Sequence, residues 1–327
     1  MRDFSYLRAR SAAEARRLAS QRGAMLLAGG TTLLDLAKCG VAEPERVVDI
    51  THLRGLDAIR VGAEGAFIGA LAKMSRVAED AAIRTHFPAV SEALLQAASA
   101  QIRNMATIGG NLMQRTRCAY FRDPAAFPAC NKRAPGTGCS AIGGVNRNHA
   151  ILGVSEACIA TYPGDLATAL VAFDAVVHIG DRRIAVEDFF LLPGTTPERE
   201  HALDAGEMIT GIAIPASAAT RRSTYLKVRD RQSYEFAAAS AAVGVAFEPD
   251  GKTIRELRVA LGGVATKPWR VPAVEQALRG KPLEPEAVKR ASLLAVGGAV
   301  DRGTNHFKID LVPRVVARAI LKAGGMA

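Results

Sequence analysis

The sequence predicts a mixed fold, α/β over its first two-thirds and α+β over a separate C-terminal domain of about 110 residues. Three observations carry this. The first half alternates short apolar strands with short helices. Near Ala216 the order changes to antiparallel strands followed by helices. The chain has 327 residues, 49% hydrophobic and 23% charged, which is globular in composition and longer than one core usually organises.

Each element has its own signal. Ser11 and Glu14 frame a capping-box pattern that opens a helix toward Leu18. Residues 25–28 read as a brief strand running into Gly29 and Gly30, and residues 31–38 as a helix with Thr31 or Thr32 at its N-cap. Residues 46–50 and 67–70 are strands. Residues 88–103 carry the apolar period of one long amphipathic helix, which leads to a second glycine pair, Gly109 and Gly110. Residues 115–148 break the pattern with prolines, glycines and three clustered cysteines; a loop of that length needs something to organise it. Regular structure resumes at residues 150–160. Asp165 caps a helix running to Phe173, Gly180 and Asp181 turn a hairpin between residues 176–179 and 183–186, and residues 207–214 form a strand ended by Pro215. In the last third, residues 224–228, 237–247 and 253–261 are strands, with a turn at residues 249–251. Residues 271–278, 285–296 and 311–323 are helices.

Charge and hydropathy exclude several classes. The net charge is +10, yet no Lys/Arg run exceeds two residues and no basic strip is interleaved with aromatics, so the nucleic-acid footprint is missing. Uncharged stretches run to about 13 residues where a membrane span needs about 20. The N-terminal residues lack an apolar signal core, so no secretory signal of the chain's own is expected. No histidine pairs visibly with a Ser or Cys nucleophile, and no catalytic residue is assigned.

Two constellations remain. The glycine pairs each sit between an apolar element and a new one, where bare backbone N–H groups can converge on an anion; a plain tight turn is the alternative for either alone. Neither a GxGxxG nor a GxxxxGK[ST] fingerprint is present. Of five cysteines, Cys39 stands apart, while Cys118, Cys130, Cys139 and Cys158 are separated by eleven, eight and eighteen residues. Disulfides, a zinc site, unrelated buried thiols and an iron–sulfur cluster all remain open on spacing alone.

Five ordered motifs make a resemblance specific: AGGTTLLDLAK (28–38), NMATIGGNLMQ (104–114), SEACIATYPGDLATAL (155–170), GEMITGIAIP (206–215) and YLKVRDRQSYEFA (225–237). With LGGVATKPWR (261–270) near the end, the chain resembles, over nearly its whole length, the FAD-binding middle subunit of the molybdenum hydroxylases, the xanthine dehydrogenase and carbon monoxide dehydrogenase flavoprotein family. Its cysteine stretch is most similar to the FAD and iron–sulfur subunit of the periplasmic aldehyde oxidoreductases, and is similar to that of hydroxybenzoyl-CoA reductase.

The resemblance implies a two-subdomain FAD-binding fold of the vanillyl-alcohol oxidase (PCMH) type, with subdomains at 1–56 and 57–217, an iron–sulfur loop insertion at 115–158 and a C-terminal domain at 218–327. It implies that the FAD pyrophosphate is cradled by Ala28, Gly29, Gly30, Thr31, Thr32 and Leu33 and by Thr107, Gly109, Gly110 and Asn111, with Leu27 and Ala106 also among the cofactor-binding residues. Asp165 becomes the acceptor for an FAD ribose hydroxyl and Lys227 a cation near the flavin ring. The inserted RTRCAYF…C…C pattern implies that Cys118, Cys130, Cys139 and Cys158 bind a [4Fe–4S] cluster, with Arg115, Arg117, Lys132 and Arg133 offsetting its charge. The implied partners are a large molybdenum-cofactor subunit and a small subunit with [2Fe–2S] clusters in a heterotrimer, with an external electron acceptor and periplasmic export alongside a signal-bearing partner. A stand-alone FAD oxidase of the vanillyl-alcohol oxidase architecture is the alternative, and a cluster- or zinc-bearing nucleic-acid binder a remoter one.

Overall fold

The structure is a computed structural model and describes residues 1–326. It builds three sheets, and their mixed α/β and antiparallel character matches the class expected from the sequence. In the first, Arg46–Asp49 lies between Ser5–Arg8 and Ala24–Leu27, all parallel. The helix Ala12–Ala19 supplies the crossover. Its cap Ser11 accepts the Glu14 N–H at 3.1 Å, while the Glu14 carboxylate reaches back to the Arg10 N–H at 2.7 Å, one residue beyond the usual box.

The second sheet is antiparallel, in the order Ile59–Gly62, Gly65–Gly69, Gly211–Pro215, Val176–Ile179, Arg182–Ala185. Its buried side, including Ile68, Val177 and Ile212, packs on Val90 and Leu94 of the helix Pro88–Gln96 and on Leu166 and Leu170 of the helix Asp165–Ala172. The third sheet, antiparallel as expected, runs Trp269–Arg270, Ile254–Gly262, Ala239–Phe247, Ser223–Val228 and is backed by the helices Pro272–Leu278, Pro285–Ser292 and Phe307–Ala323. Its central strand is apolar at almost every position because both faces are covered. Ala242 and its register partner Ala260 join the N-terminal core, while Val243 and Val259 join Val312, Val316 and Ile320 on the other side. The two cores therefore share one sheet, and the C-terminal domain is fused to the rest rather than hung from it.

Some expectations change. The long helix expected at residues 88–103 is two, Pro88–Gln96 and Ala100–Met105. Ala98 takes a φ of +49° and the Ser99 hydroxyl caps the new helix at the Ile102 N–H, a local stop that the apolar period does not reveal. Residues 150–160 form no regular element; their backbone is held by the C-terminal domain, with the Ile151 and Leu152 N–H groups donating to Val264 O at 2.9 and 3.1 Å. Gly164, not Asp165, occupies the N-cap of the helix Asp165–Ala172. The loop at 115–148 contains one short helix, Ala119–Arg122. No helix among the described residues is long and apolar enough to cross a membrane.

Candidate functional site

The two glycine pairs, far apart in sequence, meet across one cleft of about 480 Å³, a size ordinary for a small-molecule site. Gly29, Gly30, Thr31, Thr32 and Leu33 form one wall, Thr107, Gly109 and Gly110 a second, and residues 203–209 a third. The approach is closer than any side chain allows: a Cβ on Gly29 would stand 2.2 Å from Met105 O. Gly30 sits at φ +74°, which turns the chain from the strand into the helix Leu33–Lys38.

The two loops differ in what they offer a ligand. The N–H groups of Gly109, Gly110 and Asn111 are taken, by Ala70 O at 2.8 Å, Thr107 Oγ1 at 3.2 Å and Thr107 O at 2.8 Å. Among the described residues, the consecutive N–H groups of Gly29, Gly30, Thr31, Thr32 and Leu33 have no acceptor within the chain. Such a row of open amides at the start of a helix suits an anion. Leu27 and Ala106 are scaffold: Leu27 pairs with Asp49 in the parallel sheet, and Ala106 O accepts the Met74 N–H at 3.0 Å. Asn111 lies beside Met74 with its Oδ1 buried and unpartnered, an acceptor left for a ligand donor.

Asp165 and Lys227 come together, but outside the lining of the cleft. The Lys227 Nζ donates to Asp165 Oδ2 at 2.8 Å and to Gln96 O at 3.1 Å, and the Tyr225 hydroxyl donates to Asp165 Oδ1 at 2.5 Å. Burial pushes the Asp165 carboxyl upward against the pull of Lys227. Tyr225 was not a candidate from sequence; only the strand register brings its hydroxyl to Asp165.

The four clustered cysteines form a second site beneath the helix Leu33–Lys38, whose Leu36 packs on Phe121 and Cys130. Cys130 and Cys139 face each other across a short antiparallel bridge. Cys118 packs beside Cys130 in the same small cluster, and neighbouring thiols, Cys158 and Cys130 at Cys118 and Cys139 and Cys130 at Cys158, add to the upward push of burial. All are free thiols, and burial pushes Cys118 up to about 12 and Cys158 upward as well. No three His, Cys, Asp or Glu side chains among the described residues converge where a single metal ion would sit. His149, not a candidate from sequence, places its Nε2 3.2 Å from Cys118 Sγ.

The loop cations have protein partners. Arg117 and Arg122 both pair with Asp35, on the helix of the first glycine loop. Arg133 donates to the carbonyls of Tyr120, Phe121 and Phe127 and so ties the loop to itself. Glu200 bridges Arg115 and Lys132, the latter at 3.0 Å, and Lys132 lies close enough to Cys158 to favour its thiolate. Met113, Arg115 and His201 line both the cleft and the small cavity that contains Lys132 and Cys158, so the two sites share a wall.

Behind the cysteine loop, Lys308 is fully buried with one acceptor, Gly263 O at 2.6 Å. Burial, aided by Arg147, moves it from the ordinary 10.5 down to about 7, Asp230 opposing; His149, burial-shifted to about 4, is neutral there. The native state thus releases this proton near pH 7 while the unfolded chain keeps it to about 10.5, so stability rises with pH across that window and the cost of charging Lys308 is complete below it. Denaturant unfolding between pH 6 and 9 should show this rise in the wild type and a flatter profile in Lys308→Met. Parallel profiles would refute the assignment.

Residues 2–217 match the family described as the FAD binding domain in molybdopterin dehydrogenase, and residues 223–323 the CO dehydrogenase flavoprotein C-terminal domain. The chain is similar to the aldehyde oxidoreductase FAD-binding subunit PaoB of Escherichia coli K12, 42% identical with all of both chains covered. It is 27% identical to the glyceraldehyde dehydrogenase medium chain of Sulfolobus acidocaldarius, with 97% of each covered. Among solved structures it is similar to carbon monoxide dehydrogenase from Hydrogenophaga pseudoflava, with a TM-score of 0.76, 27% identity, and 100% and 99% of the two chains covered.

Proposed function

We propose, from the premise that this chain belongs to the FAD-binding subunits of the molybdenum hydroxylases, that it is the electron-transferring flavin subunit of an aldehyde oxidoreductase and holds a [4Fe–4S] cluster beside its FAD. The single observation that carries the FAD reading is the row of open amides from Gly29 to Leu33 in the shared cleft. Those amides hold the diphosphate, the second glycine loop fixes their curvature, and Asn111 Oδ1 stands ready for a donor. The resemblance gives Asp165 the ribose hydroxyl and Lys227 the flavin ring; those roles need FAD to reach the buried pair, beyond the lining of the cleft.

The cluster reading is supported by four free thiols grouped in one loop, two of them buried, and by how little regular structure that loop has besides one short helix. Cys118, Cys130, Cys139 and Cys158 hold the cluster, and Lys132, anchored by Glu200, offsets thiolate charge at Cys158. When bound, the two groups supply redox chemistry, carrying electrons released at a partner's molybdenum toward an external acceptor. A large molybdenum subunit and a small [2Fe–2S] subunit complete a heterotrimer, exported together to the periplasm on a partner's signal.

The test is co-expression with those partners and anaerobic purification. The complex should contain flavin and about four irons on this subunit beyond those of the small one. Serine at any of the four cysteines should remove that iron and spare the FAD, and Cys39→Ser should change neither. An anaerobic complex whose iron is all accounted for by the small subunit removes the cluster, and a lone chain that oxidises substrate removes the subunit reading.

A further inference from the structure

We propose that His149 is a positioning residue for the cysteine site, donating its Nε2–H to the sulfur of Cys118 and so setting the potential of the group that the four cysteines hold. The inference rests on the cluster reading above and adds a residue that neither the motifs nor the glycine loops point to. His149 is buried, and its Nε2 lies 3.2 Å from Cys118 Sγ while its Nδ1 is buried without a partner. An orphan ring nitrogen carries a desolvation cost that an apolar side chain of similar size would avoid. The histidine therefore brings something that packing alone does not need, and its one polar contact is the sulfur. A neutral thiol is a weak acceptor; a thiolate is a strong, charge-assisted one.

The ring is aimed by the far end of the chain. The His149 N–H donates to Asn146 O at 2.9 Å. Asn146 is clamped in turn by the C-terminal domain: its N–H donates to Thr304 Oγ1 at 3.0 Å, and its Oδ1 accepts from the Thr304 N–H at 3.0 Å and hydroxyl at 2.8 Å. On the other side, Asn305 Nδ2 donates to Ala150 O at 3.0 Å. Residues 304–305 thus hold the backbone on both sides of His149, and the C-terminal domain fixes the direction of a hydrogen bond made inside the inserted loop.

A donor on a thiolate stabilises the more electron-rich, reduced state, so its removal makes reduction harder. The experiment is a redox titration of the anaerobic complex followed by the electron paramagnetic resonance of the cluster, in wild type, His149→Phe and His149→Gln. Glutamine can present an amide N–H where Nε2 stands; phenylalanine fills the space without a donor. His149→Phe should shift the reduction equilibrium about tenfold against reduction, about 59 mV for one electron, and His149→Gln should recover most of it. Loss of the cluster from the phenylalanine variant with retention in the glutamine variant supports the same role. Equal potentials in all three, a shift of equal size in both variants, or cluster loss from both overturns it. A wild-type complex without the signal defeats the cluster reading itself, a result distinct from any difference among the variants.

Discussion

Gly29→Ala should purify without flavin. The added Cβ would stand 2.2 Å from Met105 O and 2.9 Å from Ala106 Cα, both backbone atoms that cannot rotate aside. The first glycine loop must then withdraw from the segment that carries Thr107, Gly109 and Gly110, and the cleft loses the curvature that aims its open amides. Of Gly29, Met105 and Ala106 only Ala106 belongs to a core, so the fold should survive with a modest loss of stability. FAD affinity should fall about a hundredfold, about 2.8 kcal/mol, by fluorescence titration of the apo complex. Binding within threefold of wild type would show that the close approach is dispensable.

Lys227→Met should be the most destabilising single change at the junction of the domains. Lys227 and Asp165 are both buried, and together with Tyr225 they tie the first strand of the C-terminal sheet to the helix Asp165–Ala172. Removing the cation leaves a buried carboxyl that burial already pushes upward, and breaking such a pair from one side costs about 3–5 kcal/mol. Without the cation, burial raises the Asp165 carboxyl further above its unfolded value, so the variant's deficit should shrink as pH falls. The double variant Asp165→Asn, Lys227→Met should recover most of the loss, since no lone charge remains. Chemical denaturation of the three proteins at pH 5 and 8 measures this; a single variant as stable as wild type would show the pair to be energetically idle.

The expected sites were legible to different depths. Gly29, Gly30, Gly109 and Gly110 were readable because glycine pairs between apolar elements mark tight approaches, but which loop keeps its amides free depends on the carbonyl of Ala70 and the hydroxyl of Thr107, neither predictable from spacing. The third wall of the cleft, residues 203–209, overlaps a motif quoted from sequence, yet nothing local gives it that place. Arg115, Arg117, Lys132 and Arg133 were expected around the cluster. Only Lys132 shows an influence on a cysteine; the others pair with Glu200, Asp35 and loop carbonyls.

By itself the sequence determined the fold class, most strands and helices, and the family, because each rests on period, turn chemistry or ordered motifs that are local to the chain. The tertiary structure alone decided four things: that the two glycine loops face one cleft, that Asp165 turns to Lys227 and Tyr225, that His149 meets Cys118, and that the cleft and the cysteine site share Met113, Arg115 and His201. These contacts join residues far apart in the chain, Asp165 and Lys227 by 62 positions and Cys118 and His149 by 31. They are fixed by sheet register and by the packing of two cores on one sheet, and no local preference of the chain encodes either.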